Sequence, residues 1–469
     1  MEGMAIVILA AGKGTRMNSD LVKVLHPLMG IPMLSYTLDL SLNGIHAEKT
    51  VVVVGYQADR IREKFNDPRL QFAPQKEQLG TGHAVMEALP FLQDFNGTVL
   101  ILCGDVPLVK LGTLQSFIDA FRRSGSTLSV LTTVVDNPFG YGRVLRNTGG
   151  WLEKIVEEKD ASEEEKLIRE INTGIFLVRA PYLFQGLKEI GQENAQGEYY
   201  LTDLVEVARQ KGLRCSAHMV ADPMEVMGIN TRIDVATAHE VLRKWKMQDL
   251  MLSGVTIIDP QVTYVDWTVE IGKDTILHPN CILQGKTKVG QRCVIESNAK
   301  MIDSIVGNEV IIRSNCVITE SKIEDGAVIG PFSHLRPLTE VKAKAKIGNF
   351  VEVKKSVIGE GSKANHLSYI GDSLVGEDVN IGAGTITCNY DGFEKRQTII
   401  GDRVFVGSNV ELVAPVKIGN RSTVGAGTTV TKNVPEGALA ISRMKQRNIR
   451  GWDKKMEIRR KKRKKKKAL

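Results

Sequence analysis

No apolar run in this 469-residue sequence approaches the ~20 residues needed to cross a bilayer, so membrane insertion is not expected. The apolar start, Met4 to Ala11, has the length of one strand and runs straight into glycines and a lysine. It lacks the longer apolar core and cleavage site of a signal peptide. Cysteine is sparse: Cys103, Cys215, Cys281, Cys293, Cys316 and Cys388 are scattered without CxxC spacing, which argues against a zinc site and against a disulfide framework. A reducing cytoplasm fits that usage.

A basic body is also missing, although the formal charge is +8. Arg459 to Lys467 is an unbroken run of nine cations, and without it the remainder carries about −1. No aromatics are interleaved in the run for stacking on bases, so it reads as a solvated, disordered tail and nucleic acid is not expected as a partner. What remains is ordinary for a globular protein, 42% hydrophobic and 25% charged, and too long for one core.

The chain has two rhythms. Through residue 229, short apolar runs alternate with helical patterns. Ala5 to Leu9, Thr50 to Gly55 and Thr98 to Asp105 read as buried parallel strands of an α/β sheet covered on both faces. Thr231 to Ser253 has no Gly or Pro and sets Ile233, Ala236, Val241, Trp245 and Leu252 at helical spacing, which predicts one long connecting helix.

After Gly254 the period becomes six. Ile271, Leu277, Leu283, Val289 and Ile295 keep it, as do Leu335, Val341, Ile347 and Val353, and again Ile400, Val406, Leu412, Ile418, Val424 and Val430. Hexapeptide repeats suit a parallel β-helix whose repeated aliphatic residue stacks inward on its copies, with a small neighbour permitting the corner. Between Ile381 and Ile400 the polar stretch TCNYDGFEKRQT is out of register and should protrude. The expected divisions are 1–229, a linker helix 230–253, a β-helix 254–445 and a basic tail 446–469.

Two places carry chemistry in the first part. LAAGKGTRM, Leu9 to Met17, turns from strand to helix with glycines that let backbone N–H groups approach phosphate, Lys13 and Arg16 adding charge. It is neither a Walker A loop nor a dinucleotide fingerprint, and taken alone it reads as merely a tight turn. Asp105 ends an apolar strand, where open parallel sheets bind ligands, and one Asp with one Asn is adequate for magnesium; a turn-capping role is the alternative.

Together with Lys23 in KVLH, EQLGTGHA (Glu77 to Ala84), CGDVP (Cys103 to Pro107), GYGR (Gly140 to Arg143), INTG (Ile171 to Gly174) and GIN (Gly228 to Asn230), these motifs resemble the sugar-phosphate nucleotidyltransferases. Most of all they are similar to the bifunctional UDP-N-acetylglucosamine pyrophosphorylase / glucosamine-1-phosphate N-acetyltransferase family, over nearly the whole chain up to the basic tail. The resemblance implies a Rossmann-like nucleotidyltransferase domain, a long linker helix and a left-handed parallel β-helix.

It also implies that Leu9, Ala10, Ala11, Gly12, Gln75, Gly80 and Thr81 hold the uridine nucleotide and Lys23 its phosphates. Gly140, Glu157, Asn172 and Asn230 then line the sugar site, and Asp105 with Asn230 binds Mg2+. Val22 and Cys103 depart from the family's usual proline and tyrosine at those positions. No protein base is required, because a sugar-1-phosphate is already an anionic nucleophile toward the α-phosphate of UTP.

In the second part, His366 in KANHLSYIGD breaks the repeat, and a histidine near neutral pH can take a proton from an amine; a structural histidine is the alternative. Arg336 and Lys354 are three hexapeptides apart, so on a three-sided coil they stack on one face, suited to phosphate or simply to solvent. The same family resemblance makes His366 the base and sets Arg336, Lys354, Tyr369 and Asn380 around glucosamine-1-phosphate. It gives Ala383, Asn389, Tyr390, Ser408, Ala426 and Arg443 to acetyl-CoA.

His334 stands where a second basic residue is common. The family implies a homotrimer with sites between chains, acting on small-molecule substrates in cell-wall precursor synthesis. Two rivals are a single-activity pyrophosphorylase with a regulatory β-helix and a non-catalytic assembly subunit. KANHLSYIGD and the NYDG loop speak against the first; retention of Asp105, Lys23, Asn230 and His366 speaks against the second.

Overall fold

The computed structural model describes residues 3–467, so residues 468–469 of the expected tail and residues 1–2 of the expected first domain lie outside the described residues. The chain divides into two compact units, Met1–Gln248 with Asp266–Thr268, and Asp249–Val265 with Val269–Leu469.

The first unit is built on strands β1 (Met4–Ala10), β2 (Lys49–Val54), β3 (Leu70–Pro74), β4 (Thr98–Cys103), β5 (Leu128–Val134), β6 (Glu170–Arg179) and β7 (Cys215–Met219), in the order β7-β5-β6-β4-β1-β2-β3. β1 pairs in parallel with β2 and β4, as the continuous apolar runs predict. Their side chains are buried on both faces, Ile6, Val7 and Ile8 on β1 all at 0% exposure. One strand departs from an all-parallel sheet: β6 runs antiparallel to both β4 and β5. It joins the sheet to a two-strand excursion, Arg143–Arg146 and Leu152–Val156.

The long helix spans Arg232–Leu252. Two of the residues chosen for its apolar stripe, Ile233 and Leu252, are about 80% exposed. Within the first unit the face that packs is Ala238 and Leu242, flanked by Val235, Val241 and Trp245, against Leu28, Met33, Tyr36 and Ile229.

The second unit is a left-handed parallel β-helix of three sheets, whose strands pair in parallel throughout those sheets among the described residues. Its three aliphatic runs line the interior: Leu277, Leu283 and Ile295, then Leu335, Val341 and Val353, then Val406, Leu412, Ile418 and Val424 are all at 0%. Each such side chain contributes roughly 1.5–3 kcal/mol on burial.

The runs are parts of one column. Between them the inward residues Met301 and Val306, Ile318 and Ile323, Val353 and Ile358, and Ile370 and Val375 are separated by one residue fewer than six. The shortened corner hides the period without breaking the coil. Glycine's place at the corner also differs from the expectation of a tight turn. At Gly348 a side chain would meet the Asn365 carbonyl at 1.9 Å, so the glycine permits adjacent coils to touch. The left-handed corner positions are taken by residues such as Asn280, Asn298 and Asn315.

The polar insertion leaves the coil as predicted. Asn380 pairs with Phe405 across a long excursion in which Phe393 is 94% exposed, although Thr387 and Thr398 at its ends belong to strands. The basic run is helical rather than disordered, part of a helix Trp452–Lys467 whose side chains are exposed through Lys464. Lys, Arg, Met and Glu are good helix formers, Asp453 suits the helix start, and Glu457 pairs with Lys461 one turn on at 3.6 Å.

Candidate functional site

In the first unit the site residues gather at the carboxyl ends of the parallel strands, where the sheet opens to ligands. Leu9 and Ala10 end β1, Ala11 and Gly12 begin the loop after it, Gln75 follows β3 and Asp105 follows β4. Gly80 precedes, and Thr81 starts, the helix Thr81–Ala88. The loop after β1 is tied to its neighbour by Gln78, whose Nε2 donates to the Ala11 carbonyl at 2.8 Å.

Three of the predicted residues meet directly. The Lys23 ammonium forms an ion pair with Asp105 Oδ2 and donates to Asn230 Oδ1 at 3.2 Å, and Arg16 donates to the same Asn230 oxygen at 2.9 Å. A carboxylate oxygen and an amide oxygen therefore converge on one cation. That donor set suits Mg2+, which takes one or two protein oxygens and completes its shell with phosphate and water.

A second group forms around the two-strand excursion. Ile171 pairs with Arg143 and Arg143 with Val156, so Asn172 and Glu157, which follows the Leu152–Val156 strand, flank the strand that leaves the Gly140 loop. Thr202 Oγ1 donates to Glu157 at 3.1 Å, while burial pushes the Glu157 carboxyl up. Glu158, which sequence reasoning passed over, accepts from the Gly140 N–H at 3.0 Å and from Arg143 at 2.6 Å, fixing the Gly140 loop. Tyr141 links the two groups: burial, then Asp234 and Asp105, raise its phenol.

The two departures are accommodated. Val22 has φ −57°, within the range a proline would enforce, and its free N–H donates to Gln57 Oε1 at 3.2 Å. Burial, followed by the Asp105 charge, pushes the Cys103 thiol up to about 12, so it packs as an inert group against Gly174.

In the β-helix, Leu335 pairs with Val353, so Arg336 and Lys354 stack on adjacent coils as their spacing predicts. Arg336 donates to Glu352 at 2.8 Å. Lys354 is held below the ordinary lysine value, first by Lys395 and also by Arg336. Lys395 rises from the protruding loop, which sequence reasoning treated as a source of Asn389 and Tyr390 only. Three cations thus crowd one spot, an arrangement that invites a phosphate. The Tyr369 hydroxyl belongs to the same face, lying over Gly371, where a side chain would meet it at 2.5 Å.

His366 is exposed at a corner, and its Nδ1 donates to Asn349 Oδ1 at 2.9 Å. With Nδ1 so engaged, Nε2 keeps its lone pair. Four of the six residues assigned to acetyl-CoA, Ala383, Ser408, Ala426 and Arg443, stack along one corner on successive coils. Asn409 N donates to the Ala383 carbonyl, Gly427 N to Ser408, and Arg443 Nη1 to Ala426 at 3.2 Å. Leu367, next to His366, accepts from Gly384, next to Ala383, so base and corner column adjoin.

Asn380 lies on the same sheet as His366, on the next strand, paired with Lys363. Two residues stand apart within one chain. The Asn389 side chain is buried and donates to Asp372 at 2.5 Å, while Tyr390 is 59% exposed and bonds only within its own loop, to Gly392.

Comparison with known proteins agrees with both halves. Residues 6–171 match the MobA-like NTP transferase domain, and residues 397–432 match the hexapeptide repeat of succinyl-transferase. The bifunctional protein GlmU of Pelobacter propionicus is 52% identical over 453 residues, covering 96% of this chain and 98% of that protein. Those of Geotalea uraniireducens and of a Geobacillus species are 50% and 45% identical, each over 96% of this chain.

The chain belongs to the GlmU family.

It is accordingly a bifunctional enzyme, with a uridylyltransferase and an acetyltransferase activity. GlmU relatives match it over 96% of its length, both halves included, so the rivals with a merely regulatory β-helix or with no activity fall away. Among the described residues no helix is long and apolar enough to cross a membrane.

Proposed function

We propose that the β-helix half transfers an acetyl group from acetyl-CoA to the amine of glucosamine-1-phosphate, and that the first half joins the resulting N-acetylglucosamine-1-phosphate to UTP, releasing pyrophosphate. The observation that carries this reading is the pairing, on one β-helix, of a histidine with a free Nε2 and a cluster of three cations, Arg336, Lys354 and Lys395.

The cations hold the sugar phosphate. His366 Nε2 takes a proton from the sugar amine as nitrogen attacks the thioester carbonyl. The C–S bond then breaks, and the thiolate leaves with that proton. Ala383, Ser408, Ala426 and Arg443 give the cofactor its corner, with Asn389 and Tyr390 in the loop. Tyr390's exposure fits a family trimer in which the loop of one chain reaches the site of another.

In the first half, Asp105 and Asn230 hold Mg2+. When bound, the ion neutralises charge on the nucleotide phosphates. Lys23 and Arg16 then face the phosphates, Gln75, Gly80 and Thr81 hold the base, and Gly140, Glu157 and Asn172 orient the sugar phosphate for in-line attack. The divisions we assign are 1–229, 230–253, 254–445 and 446–469, in a cytoplasmic enzyme supplying cell-wall precursors.

The test is product analysis after incubating purified protein with acetyl-CoA, glucosamine-1-phosphate, UTP and magnesium, omitting one component at a time. UDP-N-acetylglucosamine should require all four. N-acetylglucosamine-1-phosphate should still form without UTP or magnesium; its absence there would contradict the order of reactions.

A further inference from the structure

Gln75 is 5% exposed at the carboxyl end of β3, and both hydrogens of its side-chain amide have acceptors. Nε2 donates to the Gly80 carbonyl at 3.2 Å and lies 3.1 Å from His83 Nδ1. The other ring nitrogen, His83 Nε2, lies 3.2 Å from Glu87 Oε1, one helical turn on. A carboxylate can only accept, so Nε2 carries the ring's proton and Nδ1 presents a lone pair. Nδ1 therefore accepts from Gln75 rather than donating to it. Tyr199 stacks on the ring, with centroids 6.3 Å apart and planes 27° apart, and limits its rotation. The sequence from Glu87 through His83 to Gln75 sets which end of a nearly symmetric amide is which.

The consequence falls on Oε1. With Nε2 committed twice over, Oε1 is the atom of the amide left to accept from a base that Gln75 holds. Gly80, whose carbonyl accepts from the same amide, has an N–H that donates to no group among the described residues. An acceptor next to a donor matches the N3–H and C4=O of uracil. Cytosine presents the reverse, an acceptor at N3 and an amino donor at C4. A flipped amide would offer Nε2 to N3 of cytosine instead.

We propose that His83 and Glu87 are specificity residues for uracil over cytosine, acting as positioning groups through the Gln75 amide. This rests on the reading of the first half as a uridylyltransferase. Neither residue is among those assigned to the nucleotide, and nothing in the motif EQLGTGHA marks Glu87, which lies beyond it.

The experiment measures kcat/KM for UTP and for CTP with N-acetylglucosamine-1-phosphate in the wild type, His83→Leu and Glu87→Ala. Removing the Nδ1 acceptor leaves only the Gly80 carbonyl to hold the amide's orientation. His83→Leu should therefore lower the UTP:CTP ratio by about tenfold, the worth of one hydrogen bond to a buried group. Glu87→Ala frees the tautomer and should lower the ratio by about threefold.

The far-UV circular dichroism and the first-half melting transition, expected unchanged, check that the substituted half is folded. If His83→Leu does not fold, Glu87→Ala, at a side chain 37% exposed, decides the matter. Equal losses with both nucleotides, leaving the ratio unchanged, would overturn the proposal and make His83 a packing residue. A wild type that does not prefer UTP to the other nucleoside triphosphates would overturn the uridylyltransferase reading itself, and this inference with it.

Discussion

Asn349 Oδ1 accepts the Nδ1 proton of His366 at 2.9 Å, across adjacent coils of the β-helix. The bond selects the tautomer with a free Nε2 and turns the ring in place, so a residue absent from every sequence motif prepares the base. Asn349→Leu should lower kcat for acetyl transfer about tenfold to a hundredfold with little change in KM, the effect of one lost bond to a group that becomes charged. In Asn349→Asp the carboxylate favours imidazolium, so the acid limb of the pH profile should move to higher pH. Steady-state kinetics from pH 5 to 9 decide it: no shift in Asn349→Asp would remove the contact from the mechanism.

The cation cluster makes a separate prediction. Lys395→Gln should raise KM for glucosamine-1-phosphate by about tenfold and leave kcat less affected, because it withdraws a charge from the phosphate rather than from the reacting amine. Lys354→Gln should act in the same way. An unchanged KM in Lys395→Gln would mean that the loop lysine points its charge at solvent when substrate binds.

Much of this was legible beforehand, and what was not has physical causes. Hexapeptide runs showed wherever three equal sides follow one another, and vanished at Met301 to Val306 and Ile370 to Val375, where one corner is a residue shorter. The antiparallel direction of β6 leaves no mark in a strand buried on both faces. Arg336 and Lys354 were found because their spacing equals one coil, whereas Lys395 arrives from outside the repeat. Glycine spacing located the nucleotide loop, but Glu158 and His83 act through contacts that only the folded sheet creates.

Asp203 gives a stability prediction with a definite sign. Burial first, then Glu206, Glu157 and Asp160, push its carboxyl up to about 6 from 3.8. The folded chain then binds a proton that the unfolded chain has released, so ionised Asp203 costs stability above about pH 6, and the cost fades as pH falls toward 4. Asp203→Asn should raise the stability of the first half by about 1 kcal/mol at pH 8, after allowance for its partial exposure, and give no gain near pH 4. Melting temperatures at the two pH values check it; an equal gain at both would assign the effect to something other than charge.

The basic helix predicts a null effect. The side chains of Arg459 to Lys464 are exposed and lie beyond Arg443, the last residue assigned to a site. Deleting Arg459 to Lys467 should leave both activities within about twofold. A large loss in a chain that still melts normally would make the run part of a site.

The central claim is that one chain runs two reactions with separate machinery, and complementation tests it most directly. His366→Ala should lose roughly 10²- to 10⁴-fold in acetyl transfer and nothing in uridylyl transfer. Asp105→Asn should lose uridylyl transfer by weakening Mg2+ binding and keep acetyl transfer. Supplied with glucosamine-1-phosphate, acetyl-CoA, UTP and magnesium, neither variant alone should make UDP-N-acetylglucosamine at an appreciable rate. A mixture of the two should, because the acetylated sugar phosphate passes through solution. A mixture as inactive as its components, or either variant impaired in both reactions, would contradict the account.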